Sequence, residues 1–92
     1  MTIQELEKIL RREGVFEEFG ISRLGLFGSF ARGENYHDID ILLEQHLDYK
    51  VRERLRSRLQ ALLNTKVDLV PAKFADPIIL YRAHKDLRYV TR

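Results

Sequence analysis

The sequence predicts an α/β domain, a small mixed sheet of about four strands with helices packed mainly on one face. Three observations lead there. Short apolar runs of strand character at 23–27, 38–44, 66–70 and 87–90 alternate with segments whose apolar residues recur at helical spacing. The succession of strand 38–44, helix 49–64 and strand 66–70 reads as a crossover unit, which sets two strands parallel. The chain has 92 residues, expected to form a single domain over 1–92, with one small core and little surface left for a separate specificity domain.

Composition excludes several classes. A hydrophobic share of 45%, a charged share of 33% and only two prolines are those of a soluble globular protein. With no cysteine there is no disulfide and no thiolate metal site. No apolar run is long enough to span a membrane, and the N-terminus lacks the apolar core of a signal peptide. No membrane partner and a cytoplasmic location are therefore expected. A net charge of +2 does not announce a nucleic-acid partner, but its distribution is uneven. Residues 50–58 carry Lys50, Arg52, Arg54, Arg56 and Arg58 against Glu53 alone. This run reads first as a solvated helix face, and otherwise as contact with an acidic protein or a polynucleotide.

In chain order, Thr2 and Glu5 have the spacing of a capping box, and Ile3, Leu6, Ile9 and Leu10 continue a helix to about Arg12. Gly14 ends or bends it, and Val15, Phe16 and Phe19 read as core. The strand 23–27 contains Gly25, which allows a neighbouring backbone to come close. Gly28 and Ser29 follow at its end. Residues 29–33 have room for a turn or two presenting an N-terminus to an anion. This glycine spacing matches neither a Walker A loop nor a dinucleotide-binding fingerprint. Asn35, Tyr36 and His37 form a loop, in which His37 reads as a surface histidine.

On the strand that follows, Asp38 and Asp40 point one way while Ile39 and Ile41 point the other. Glu44 shares their parity, expected beyond them and exposed. Asp48 caps the helix 49–64, whose stripe of Val51, Leu55, Leu59, Leu62 and Leu63 reads as core. Asp68 lies in the strand that Pro71 closes. Asp76-Pro77 then opens a helix through about His84, with apolar residues almost all round. Such a helix is expected to be well buried or to meet another chain. The last run, 87–90, is expected as an edge strand.

Two carboxylates on one strand face repel, an arrangement most simply explained by a cation between them. Mg²⁺ favours carboxylate oxygens and keeps positions for substrate phosphates. A Gly-Ser turn beside such a site suggests phosphoryl or nucleotidyl transfer. The plain alternative is that all three aspartates are exposed acids at strand ends.

Gly28-Ser29, a spacer containing Ala31-Arg32-Gly33-Glu34, the pair Asp38 and Asp40, and a third acid at Asp68 closely resemble a known signature. It is that of the DNA polymerase β-like nucleotidyltransferase superfamily and, within it, the minimal nucleotidyltransferases. The resemblance spans nearly the whole chain and implies the nucleotidyltransferase fold. It implies Mg²⁺-dependent transfer of a nucleoside monophosphate, AMP foremost, from ATP or another NTP to a hydroxyl acceptor. By the same resemblance Asp38 and Asp40 would ligate two Mg²⁺ ions. Asp68 would complete the site of the ion that activates the nucleophile, and is a candidate proton acceptor. Gly28 and Ser29 would hold the β- and γ-phosphates, and Arg32 would brace a phosphate or fix the loop through an ion pair. One departure is the spacer, eight residues between Ser29 and Asp38, which is shorter than in many relatives.

Relatives of this size often accompany a small helical HEPN-type RNase toxin and act as its antitoxin, transferring AMP to a toxin tyrosine. The resemblance thus implies a HEPN-type partner, with a homo-oligomer also open. A reading of another class is a binding module that neutralises its partner by occupying its surface through the last helix and the basic helix face. A third is transfer to RNA or to an aminoglycoside-like small molecule.

Overall fold

The computed structural model describes residues 1–92. Their order is α1 (Ile3–Arg12), α2 (Val15–Phe19), β1 (Arg23–Phe27), α3 (Gly28–Ala31), β2 (Asp38–Leu43), α4 (Tyr49–Leu63), β3 (Lys66–Pro71), a 3₁₀ turn (Ala72–Phe74), α5 (Pro77–Asp86) and β4 (Arg88–Thr91). The expected capping box forms on α1, with Glu5 N–H donating to Thr2 Oγ1 and Thr2 N–H to Glu5 Oε1, each at 3.1 Å. Asp48 caps α4 by accepting from Val51 N–H at 3.0 Å. Residues 15–19, read from the sequence only as core, wind into the short helix α2 between two glycines at positive φ, Gly14 and Gly20.

The sheet has the order β3-β2-β1-β4. β2 and β3 are parallel, joined by α4, and Asp40 sits opposite Asp68 in their register. β1 runs antiparallel to β2, with Phe27 opposite Asp40. β4 pairs only with β1 and is the edge strand the sequence predicts.

Strand alternation gives the sheet two unlike faces. One carries Leu24, Leu26, Ile39, Ile41, Leu43, Val67 and Val90, all packed into the main core. Leu6 and Leu10 of α1, Val15, Phe16 and Phe19 of α2, and Leu55, Leu59 and Leu63 of α4 close over it. Each such side chain fully removed from water contributes about 1.5–3 kcal/mol. The other face carries Gly25, Phe27, Asp38, Asp40, Leu42 and Asp68.

α5 lies on that second face. Ala83 and Leu42 are buried there, apart from the main core. A Cβ on Gly25 would come within 2.6 Å of Leu87 Cδ1, so the glycine permits the close approach of the segment leaving α5. Of the two expectations for this last helix, burial or contact with another chain, deep burial within the chain does not hold. Ala83 is its one buried residue, while Ile78, Ile79 and Tyr81 are 62%, 44% and 66% exposed. The platform around Gly25 and Leu42 receives only one side of the helix, and no further layer covers its outside. No helix is long and apolar enough to cross a membrane.

Candidate active site

The parity that buries Ile39 and Ile41 turns Asp38 and Asp40 to the opposite face. The parallel register then sets Asp68 directly across from Asp40, on backbones about 4.8 Å apart. Three carboxylates from two neighbouring strands thus share one patch. Asp38 and Asp40 are half-buried and Asp68 is exposed.

The turn from β1 into α3 comes against the same patch. Gly28 has φ +75°, a left-handed conformation that glycine adopts without strain. A Cβ at that position would collide with Asp40 Oδ2 and lie 3.2 Å from Asp40 Cγ. Gly28 is therefore required twice, for its backbone angle and for its closeness to the carboxylate. The loop beyond is wound by its own backbone, with Arg32 N–H donating to Gly28 O at 3.1 Å and Glu34 N–H to Ser29 O at 3.0 Å. Phe30 anchors it in the core and stacks edge-on against Tyr36, ring centroids 4.9 Å apart.

The charges are poorly compensated. Burial pushes the Asp40 carboxyl above the usual aspartate range, the negative charges of Asp68 and Asp38 push it further, and only Arg32 opposes them. Lys66 Nζ, 3.9 Å from Asp38 Oδ2, is the one ion-pair partner any of the three carboxylates has. Arg32 itself is held elsewhere. Its Nη2 lies 3.1 Å from Glu34 Oε1 and its Nη1 donates to Asp86 Oδ2 at 2.6 Å. These hydrogen bonds, to Glu34 first and Asp86 second, raise the guanidinium pKa still further. The ion-pair reading of Arg32 has its partners here, in Glu34 and Asp86.

Asp86 is the residue sequence reasoning missed. It stands 54 positions beyond Arg32, and nothing local marks it. His37 is exposed in the loop before β2, as expected. Glu44 is exposed and serves the sheet edge instead, 3.2 Å from Arg23 Nε and accepting from Tyr89 Oη–H at 3.1 Å. The one cavity, of about 680 Å³, is lined by Glu18, Phe19, Glu53, Arg54, Ser57 and Arg58. It belongs to α2 and α4, and the carboxylate patch is an open surface.

An all-oxygen donor set with poorly compensated negative charge fits a hard divalent cation such as Mg²⁺. No three acid or imidazole side chains converge closely enough to enclose an ion by themselves. What the patch offers chemically is a cation-seeking face beside a tight backbone turn, open to a large acceptor.

Comparison with known proteins shows the family. The family described as polymerase beta, nucleotidyltransferase matches residues 4–91. A relative from Methanocaldococcus jannaschii, named as a proposed protein adenylyltransferase, is 38% identical across 97% of this chain and 98% of its own length. Protein adenylyltransferase MntA of Thermococcus cleftensis is 37% identical across 76% of this chain and 77% of its own. Among solved structures, a mutant MntA–HpeT toxin–antitoxin complex superposes with a TM-score of 0.71 at 26% identity, covering 97% of this chain and 71% of its counterpart. A complex of tri-AMPylated Shewanella oneidensis HEPN toxin with MNT antitoxin gives 0.67 at 22% identity, over 95% and 70% respectively. At that identity the second likeness is one of fold.

Proposed function

The chain belongs to the polymerase β nucleotidyltransferase family, and from that premise we propose that it transfers AMP from ATP to a hydroxyl of a partner protein. One observation carries the reading: Asp38, Asp40 and Asp68 share an open, poorly compensated patch against which the Gly28 turn is pressed. The relatives named as protein adenylyltransferases support the same activity.

In the reaction the acceptor oxygen forms a bond to the α-phosphorus, the bond from that phosphorus to the bridging oxygen breaks, and pyrophosphate leaves. Asp38, Asp40 and Asp68 would hold Mg²⁺, with phosphate oxygens and water completing its shell. A divalent cation held by these residues would supply neutralisation of the charge that builds on the phosphates and a lowered pKa for the attacking hydroxyl. Gly28 and Ser29 hold the β- and γ-phosphates against the start of α3. Asp68, the most exposed of the three acids, takes the proton of the acceptor hydroxyl. Arg32, fixed by Glu34 and Asp86, keeps the loop in place and adds positive charge beside Asp40.

The acceptor we favour is a tyrosine of a small helical HEPN-type toxin, for which this chain would be the antitoxin. The open site suits a macromolecular acceptor, and the MntA–HpeT pair is a toxin–antitoxin complex of similar architecture. A second reading, neutralisation by occupancy alone, is favoured by the exposed apolar side chains of α5. ATP labelled at the α-phosphate, added with Mg²⁺ to the pure protein in lysate of its source organism, separates the two. Transfer gives a labelled acceptor band that is absent with γ-label and with Asp40→Asn. A stable complex without label refutes transfer and leaves occupancy.

A further inference from the structure

The outer face of α5 and the turn before it have no role in the site. Seven large hydrophobic side chains are exposed in the whole protein, and four of them, Phe74, Ile78, Ile79 and Tyr81, fall within eight consecutive residues. Ile78, Tyr81 and Lys85 stand at i, i+3 and i+7 on the side of α5 away from buried Ala83. An amphipathic helix ordinarily turns charge outward there. Phe74 extends the surface toward the start of α4, where Arg52 lies between the Tyr49 and Phe74 rings at 5.7 and 5.8 Å from their centroids.

The rim of this surface is cationic. Lys73 lies 5.7 Å from the Phe74 ring and Lys85 4.7 Å from the Tyr81 ring. Arg82 makes no ion pair, and neither does Arg52, whose Nη1 donates to Leu47 O. The two acids of α5 and its cap are already engaged, Asp76 by Ile78 N–H and Asp86 by Arg32. An aromatic and aliphatic centre ringed by four cations has the make-up of a protein interface. Charge decides the occupant. In a symmetric dimer through this face, Arg52, Lys73, Arg82 and Lys85 would confront their own copies. A single-stranded polynucleotide would stack its bases on flat rings, yet the outward side of α5 presents aliphatic Ile78 beside Tyr81.

We propose that the Phe74–Tyr81 surface docks an acidic, apolar-centred face of the same partner protein that receives AMP. This rests on the transfer reading above. The placement is productive because α5, a ten-residue helix about 15 Å long, ends at Asp86 on Arg32 of the site loop. A partner seated along α5 therefore lies beside Asp40, and a typical interface of about 800 Å² per partner is wide enough to reach both.

A photo-crosslinking amino acid at position 81, with one at exposed Gln4 of α1 as control, tests this in source lysate supplied with α-labelled ATP and Mg²⁺. We expect one protein to form an adduct through position 81 and not through position 4, to be the protein that carries label, and to be lost from the adduct as salt rises. Ile78→Ser with Tyr81→Ser should lower labelling of that protein, purified and at limiting concentration, by tenfold or more. The melting temperature should stay within a few degrees, as expected for surface substitutions. An adduct between two copies of this chain, an adduct with nucleic acid, or an acceptor labelled equally by the double variant overturns the docking assignment. An acidic protein captured at position 81 in a salt-sensitive manner, but never labelled, upholds docking and overturns transfer. Neither adduct nor label overturns both.

Discussion

Replacing Gly28 with alanine tests whether the site turn is pressed on Asp40 as described. The methyl group meets two penalties. A non-glycine residue at φ +75° costs about 1–2 kcal/mol. The new Cβ would also overlap Asp40 Oδ2, so the carboxylate must leave its rotamer at a further cost of about 1 kcal/mol. The fold should lose about 2–3 kcal/mol, which in a domain of this size lowers the melting temperature by about 10–20 °C. Gly33 supplies the control, since it has the same φ of +75° and nothing within 4 Å of its would-be Cβ. Gly33→Ala should show the backbone penalty alone, so it should melt about 4–8 °C above Gly28→Ala. Thermal unfolding by circular dichroism reads both, and adenylyl transfer reads the displacement of Asp40. In an Asp40→Ala background the cost of Gly28→Ala should shrink to that of Gly33→Ala. Equal melting temperatures for the two single variants, or no such shrinkage, would refute the close approach.

Three further outcomes follow from the same structure. Because the folded protein holds the Asp40 carboxyl above its unfolded value, its contribution to stability is fully present below the ordinary aspartate range and is lost as pH rises through the folded value. Asp40→Asn should therefore melt higher than the parent in EDTA at pH 7, converge with it near pH 3, and carry no transfer activity; a lower melting temperature at pH 7 would contradict this. Leu59→Ala removes a side chain with no exposure at the centre of α4, and chemical denaturation should show a loss of about 2–5 kcal/mol. Thr2→Ala removes the Oγ1 that accepts from Glu5 N–H while keeping the backbone N–H that donates to Glu5 Oε1, and should cost about 1 kcal/mol, with transfer unchanged.

The periodic signals in this chain are local, and local signals survive without knowledge of the fold. Alternation along 38–43 was enough to put Asp38 and Asp40 on one face, because side chains in any strand alternate. The caps at Thr2, Asp48 and Asp76 lie within three residues of the N–H groups they serve, and the helix-period stripe of α4 needs no partner to be recognised. Asp68 is different. Its place opposite Asp40 depends on which strands pair and in what register, and family resemblance rather than periodicity marked it in advance. The tie between Arg32 and Asp86 was illegible, since sequence carries no measure of which exposed acid a folded helix will bring to an arginine. The last helix shows the boundary most clearly. Its apolar residues stated that something must cover it, but only the tertiary structure showed that Ala83 alone is fully buried and Leu80 only in part. The area a helix buries is set by the width of the platform beneath it, and that platform is assembled from strands distant in the chain.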